Sequence, residues 1–436
     1  MFLDKAILKP GMVLLAVFIF GSVVRVWMIV HTNMHPYPID VLFDALGWNL
    51  ANGAGMTLDG STPSVHYGPV YPSLLALFYL AVGHRPDWVP YMQALVDVGT
   101  GVCVYQAGRL LFGPWVGVLS ATAFFLYPAY WTYDLRIRME SLQTLLTSAW
   151  LWAAVGCALF GRFRLYAVSG VLAGLTILCK PVAIPAALLL AALPAVSLRS
   201  RGMVLPRLVA YLGCILLVVT PWVVRNFQAF GSFIPVSTGI GVGLWTGSDP
   251  VSNGSWPMSS EEETQLWKTA GIDTLAYPNM VYEVPIDSML KRKALERLKE
   301  DPGGYLKLIG IRTVQFWVGN YLYLANSDLG LREGFRRDVN DRGIVVAAYS
   351  LGKRLLLIPV VLALAFWASW HFRAQWRELW PLYALPVGIT SAYVPFAVEA
   401  GRYALPVLPC VCILAVAVVW HTLMKWKEEK SVVRSV

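Results

Sequence analysis

Charge is scarce in this chain. Only 14% of its 436 residues are Asp, Glu, Lys or Arg, and 57% are hydrophobic. Soluble domains carry about 25% charged residues, so a water-solvated enzyme domain is excluded for most of the length. Cysteine is also sparse. The six residues Cys103, Cys157, Cys179, Cys214, Cys410 and Cys412 all fall in apolar stretches, with no C-x-x-C or zinc-ligand spacing. That pattern argues against a disulfide framework or a structural metal and for small buried hydrophobes. No P-loop, no G-x-G-x-x-G after a strand, no H-E-x-x-H and no G-x-S-x-G occurs. Nucleotide-dependent chemistry in a soluble domain is therefore not expected, and an activated donor would have to arrive through the membrane. No internal repeat of sequence or hydropathy is seen, which counts against transporters built from inverted repeats.

What is present is a series of apolar runs of membrane-spanning length. The reading places about ten spans, at 9–31, 88–111, 113–131, 140–160, 163–179, 181–197, 205–224, 355–371, 377–395 and 403–424. No A-x-A-like cleavage site follows the first, which reads as a retained anchor. The net charge of +9 comes mostly from basic residues at span ends, where membrane orientation explains them better than nucleic acid does. With both termini cytoplasmic in a plasma (inner) membrane, the inner loops hold Arg109, Arg162, Arg164, Arg199, Arg201, Arg207, Arg373 and Arg377 and the tail holds KWKEEK, as the positive-inside rule requires. The outer face then carries 32–87 and 226–354. The expected fold class is an all-α polytopic membrane protein, with juxtamembrane helices in the first outer loop and a small, mostly helical outer cap. It divides into a membrane module at 1–225, an outer region at 226–354 and C-terminal helices at 355–436.

Inside the first outer loop, 40–50 reads as a helix lying on the membrane, ended by Asn52-Gly53 and Gly55. The apolar run 71–82 is too short to span and suits an interfacial or re-entrant helix. In the outer region, 285–299 reads as a charged amphipathic helix, broken by Asp301-Pro302 and resumed over 305–317. Its cations Lys291, Arg292, Lys293, Arg297 and Lys299 are either a solvated face or a contact for anionic lipid heads.

This topology gathers polar groups at the outer membrane surface. The acids are Asp40, Asp44, Asp134, Glu140 and Glu399; the bases are Arg136, Arg138, Lys180, Arg225 and Arg402. Asp40 is either a general base or a capping acid, and Glu140 opens a span, where a helix N-terminus favours an acid anyway. Lys180 is a snorkelling lysine or a phosphate ligand. Arg225 is a cation at a helix end or a bidentate phosphate receptor. Glu399 and Arg402 are a local pair or part of a site. Asp97, deep in the second span with Gln93, reads as a bundle-internal hydrogen-bonding group.

Several blocks resemble a known family. They are Asp40 with F-D-A-L-G-W-N-L-A-N-G-A-G (43–55), H-Y-G-P-V-Y-P (66–72), R-M-E-S-L (138–142), L-T-I-L-C-K-P (175–181), T-P-W-V-V-R-N-F (220–227), G-L-W-T-G-S (243–248) and E-A-G-R-Y-A-L-P (399–406). Together they resemble the GT-C superfamily of polytopic glycosyltransferases, and within it the bacterial dolichyl-phosphate-mannose-protein mannosyltransferases and the lipid A aminoarabinose transferases. The resemblance implies a polyprenyl-phosphate-linked sugar donor, a lipid, glycan or protein acceptor, membrane lipids as surroundings, and inverting transfer at the outer face. It implies Asp40 as base, Glu140 as second acid, and Lys180, Arg225 and Arg402 on the phosphate. Asp44, His66, Tyr67, Arg138, Glu399 and Tyr403 are the further substrate-binding candidates, and Asp44 is a rival base. Where the aminoarabinose branch has Lys before a Pro, this chain has Gly68, with His66 and Tyr67 beside it. Asp40 and Glu140 could share a divalent metal, but no His–carboxylate spacing supports one, so no cofactor is expected. The competing readings are a transporter or flippase of a lipid-linked or anionic substrate, and a polysaccharide polymerase or ligase.

Overall fold

The computed structural model describes residues 9–31, 38–127, 130–131, 133, 135–197, 201–249, 260–272, 283–318, 357–396 and 402–433. Among them the secondary structure is helical, apart from one isolated bridge between Thr57 and Pro63. In chain order the helices are α1 Pro10–His31, α2 Pro38–Ala51, α3 Val70–Val82, α4 Val89–Phe112, α5 Pro114–Phe125, α6 Glu140–Phe160, α7 Phe163–Cys179, α8 Ile184–Ala191, α9 Leu193–Ser197, α10 Val204–Phe230, α11 Ile240–Gly247, α12 Ser260–Thr269, α13 Val284–Glu300, α14 Pro302–Val318, α15 Ile358–His371, α16 Trp380–Tyr393 and α17 Leu408–Val433.

Among the described residues, four helices are long and apolar enough to cross a membrane: α1, α6, α10 and the helix that includes α17. The other expected spans are shorter or more polar. Residues 181–197, read as one span, form a 3-10 turn, α8 and α9. The run 113–131, also read as one span, stops as a helix at Phe125. The span read at 205–224 continues to Phe230, so Arg225 lies within a helix rather than at its end.

α1 buries only Leu14, Phe18, Gly21 and Arg25. Those positions form one helical stripe, and the rest of the helix presents apolar side chains such as Leu15, Ile19, Phe20, Val23 and Trp27 outward, as a lipid-facing helix does. The stripe contains a charge. Arg25 Nε lies 3.4 Å from Asp97 on α4, and the Tyr130 hydroxyl donates to Asp97 at 2.6 Å. The guanidinium also donates to the Gly21 and Phe125 carbonyls and lies 4.0 Å from the Phe125 ring centre. This supports the expected bundle-internal role of Asp97 and adds a partner that a single Arg in an apolar run did not announce.

Small residues allow close helix contacts. A Cβ on Gly388 of α16 would fall 2.4 Å from the backbone nitrogen of Ala186 on α8, the close backbone approach that membrane helices make at glycine. Five of the six cysteines are buried, and Cys214 is intermediate.

A second apolar core lies under the juxtamembrane helices. Phe43, Tyr71, Leu75 and Tyr79 from α2 and α3 pack with Val89, Met139, Leu142, Leu146 and Cys179. A third joins α11, α12 and α13 through Val242, Trp245, Leu266, Trp267, Leu290 and Ala294. Asp287 Oδ1 accepts the backbone N–H groups of Gly239, Gly241 and Val242, which fastens α13 to the start of α11. Burial raises the Asp287 carboxyl above its ordinary value, against the pull of those three donors. Buried Arg312 on α14 donates to the carbonyls of Val394 and Gly247, tying this third core to the end of α16. Of the five cations on α13, two have internal uses. Arg297 lies 3.7 Å over the Trp245 ring and 4.0 Å from Asp249, and Lys293 donates to the Ala270 carbonyl.

Candidate active site

α2 begins with proline, which suits a first helical turn, and ends before Gly53, whose φ is 79°. Its inward stripe is Asp40, Phe43 and Leu46, all buried. Phe43 presses the helix onto the second core and so brings Asp40, 4% exposed, to the stretch before α6. There Arg138 Nε is 3.0 Å from one carboxylate oxygen, and Arg136 Nη1 is 3.6 Å from the other.

Two residues on, Glu140 opens α6 and is buried. It receives a hydrogen bond from Arg402 Nε, and Arg402, Lys180 and Arg138 all act on it electrostatically. Lys180 is placed by chain chemistry. Pro181 disfavours helix at the residue before it, so α7 stops at Cys179 and Lys180 is extended, with φ −155° and ψ 124°. Its ammonium lies 4.7 Å from the Tyr403 ring centre and 5.3 Å from that of Tyr393. Those two rings stack on each other at 4.2 Å. Asp40, Arg136, Arg138, Glu140, Lys180, Arg402 and Tyr403 thus form one connected group, drawn from α2, the stretch before α6, the end of α7 and the segment before α17.

Asp44 sits one turn from Asp40 but belongs to another cluster. It accepts the Tyr79 hydroxyl at 2.6 Å and approaches His84 Nε2 at 3.0 Å. His66 and Tyr67 stack at 4.2 Å, and Tyr67 also packs on Phe43 at 4.3 Å, beside the Asp40 stripe. Arg225 is put to a different use from phosphate binding. Its guanidinium donates to the carbonyls of Ser64 and Met56 and lies 4.8 Å from the Trp222 ring. Trp222 and Asn226 in turn donate to the carbonyls of Val236 and Ile234. The P-W-x-x-R-N block is therefore a clasp on two loop segments. Glu399 and Asp134 lie outside the described residues.

Two residues that carry the site went unassigned in the sequence. Gln93, 1% exposed, donates to the Arg136 carbonyl at 2.6 Å and accepts the Arg138 N–H and the Tyr71 hydroxyl on its oxygen. Tyr71 was hidden in an apolar run, whereas Gln93 was visible as a polar residue within a span.

Gly68 has a steric reason. A Cβ there would lie 1.9 Å from the Leu178 carbonyl oxygen at the end of α7, so no side chain fits, lysine included. Gly68→Ala is expected to destabilise the protein by about 1–3 kcal/mol and to displace the loop bearing His66. Thermal unfolding in nanodiscs measures it, and an unchanged transition temperature would contradict the close packing.

Burial pushes the His66 imidazole from 6.5 down to about 3. The unfolded chain takes up a proton below 6.5 and the folded chain does not until about 3. Stability from this group is complete above pH 6.5 and declines as pH falls through that window, by at most about 1.4 kcal/mol per pH unit. Unfolding scans between pH 7.5 and 4.5 should show a shallower decline for His66→Gln than for wild type. Equal slopes would remove His66 from the account.

Asp40 and Glu140 are each engaged by arginine, and no three His, Cys, Asp or Glu groups converge among the described residues.

Residues 65–224 match the family model of dolichyl-phosphate-mannose-protein mannosyltransferases. Among solved structures, the chain superposes on the archaeal oligosaccharyltransferase AglB from Archaeoglobus fulgidus, in complex with an inhibitory peptide and a dolichol-phosphate. The TM-score is 0.57 at 13% identity, covering 97% of this chain and 52% of AglB. The fold is that of the GT-C membrane glycosyltransferases. The apo form of the Archaeoglobus enzyme gives a TM-score of 0.54 at 14% identity, over 96% of this chain and 52% of that one. ArnT from Cupriavidus metallidurans, bound to undecaprenyl phosphate, aligns at a TM-score of 0.44 and 14% identity, over 93% of this chain and 77% of its own. The chain therefore spans about half the length of the archaeal GT-C protein it matches. No curated protein matches the sequence.

Proposed function

We propose that this chain is an inverting glycosyltransferase. It moves a sugar from a polyprenyl-phosphate donor to an acceptor hydroxyl or amine at the outer face of the membrane. The observation that carries this reading is the group in which Arg136, Arg138, Lys180 and Arg402 surround the buried carboxylates Asp40 and Glu140. Cations outnumber carboxylates there, so the group suits a phosphate anion. The GT-C fold supports a lipid-linked donor, because the AglB structure of that fold holds a dolichol-phosphate.

The chemistry needs little else. A sugar on a phosphate carries a good leaving group, so departure requires charge stabilisation more than acid. Arg138, Lys180 and Arg402 supply that on the phosphate oxygens. Asp40 removes the acceptor proton as the acceptor oxygen or nitrogen attacks the anomeric carbon and the carbon–oxygen bond to phosphate breaks. One base opposite the leaving group gives inversion, without the paired carboxylates of a retaining hydrolase. Asp44, held by Tyr79 and His84, serves α2 packing in this scheme. The outer core of α11–α13, tied down by Arg312, covers the site and orders the acceptor. The cytoplasmic placement of both termini belongs to this reading.

The test is purified protein in nanodiscs with labelled polyprenyl-phosphate sugars, mannose first. Transfer, or slow hydrolysis to free sugar, supports the transferase. Movement of intact donor between leaflets without cleavage would replace it with a flippase. Extension of a preformed glycan without use of a monosaccharide donor would indicate a polymerase or ligase.

A further inference from the structure

Asp40 is held from two sides. Arg138 engages one carboxylate oxygen and Arg136 the other, and the residue is 4% exposed. Held in this way, both carboxylate oxygens face a guanidinium group, and the one nearest Arg138 lies within hydrogen-bond distance. The arginines, however, are not anchored by Asp40. Their backbone is pinned by Gln93, which donates to the Arg136 carbonyl at 2.6 Å and accepts the Arg138 N–H at 3.3 Å. Gln93 is braced in turn by the Tyr71 hydroxyl at 2.6 Å. The stretch 136–138 thus has a fixed main chain and charged heads on flexible stems. Arg138 already acts on a second carboxylate, Glu140.

The geometry points to Arg136 and Arg138 as an exchangeable latch: they leave the Asp40 carboxylate for the donor's phosphate, and donor binding thereby frees the base. This rests on the transferase reading above. A carboxylate and a phosphate anion present the same pair of oxygens to a guanidinium, so they compete directly for these two side chains. Exchange moves the two guanidinium charges from one anion to the other. Before the donor arrives, Asp40 is engaged by the arginines. After it arrives, the arginines stabilise the leaving phosphate and Asp40 faces the acceptor. Gln93 and Tyr71 are positioning residues that keep the latch within reach of both anions.

The alternative is a static brace that orients Asp40 and never lets go. The two differ in one measurable respect, the affinity for undecaprenyl phosphate without any sugar. If the anions compete, Asp40→Asn removes the competitor and undecaprenyl phosphate should bind about tenfold more tightly, read by native mass spectrometry of the purified protein. In an Arg136→Gln/Arg138→Gln background the same change should have no effect. Affinity in Asp40→Asn equal to or weaker than wild type overturns the latch. A second arm leaves Asp40 in place: Arg138→Gln should weaken binding about tenfold, and unchanged affinity there also overturns it. The binding assay needs no turnover. Tighter binding by a protein that transfers no sugar would keep the exchange and reject the transferase. Transfer without the tighter binding would do the reverse.

Discussion

Asp40→Asn is expected to lower sugar transfer by about 10²–10⁴-fold, the range that loss of a general base gives, while the protein still folds. The exchange is isosteric. The amide oxygen can still accept from Arg138 or Arg136, and Phe43 still seats α2 on the second core. What is lost is the ability to accept a proton. Transfer measured with saturating labelled donor and acceptor should fall in rate, and unfolding should be little changed. If Asp40→Asn retains full turnover, the base is elsewhere, and Asp44→Asn is the variant to compare. Asp44 is committed to Tyr79 and His84, so its loss should register more in stability than in rate.

Arg25→Leu is expected to destabilise the protein by about 3–5 kcal/mol, as removal of one member of a buried ion pair does. Asp97 is 0% exposed and would keep the Tyr130 hydroxyl while losing its cation. The fall should be smaller when Asp97→Leu is made in the same chain, because two apolar groups replace the pair. Comparison of the single and double variants by thermal unfolding decides this, and an additive double variant would show that the two residues do not depend on each other. Transfer should fall as well. α1 holds the bundle by one narrow stripe, and α2, which carries Asp40, follows it directly in the chain.

The parts legible in the sequence are those where a charge stands against a strong apolar background. Asp40, Glu140, Lys180 and Arg402 each begin or end an apolar segment. Topology alone placed them on one face, and the structure brings them into one group. The helix at 285–299 and its break at Asp301-Pro302 were equally plain, because a charged amphipathic period meets proline. Arg225 was less legible. Hydropathy ended its span at 224, but the helix runs on to Phe230, and the guanidinium turns to loop carbonyls whose positions only the folded chain reveals. Gln93 and Tyr71 were missed for a related reason. Their importance lies in hydrogen bonds to the main chain of 136–138, and sequence carries no mark of which backbone a side chain will hold.

The clasp at the end of α10 has a mechanical meaning. Trp222 and Asn226 grip the chain that leaves the helix, while Arg225 grips a loop 161 residues earlier, and Thr238 N–H bonds to the Val65 carbonyl. Two distant stretches are sewn to one peg, so neither can swing without the other. These two stretches move as one piece, and any hinge must lie outside them.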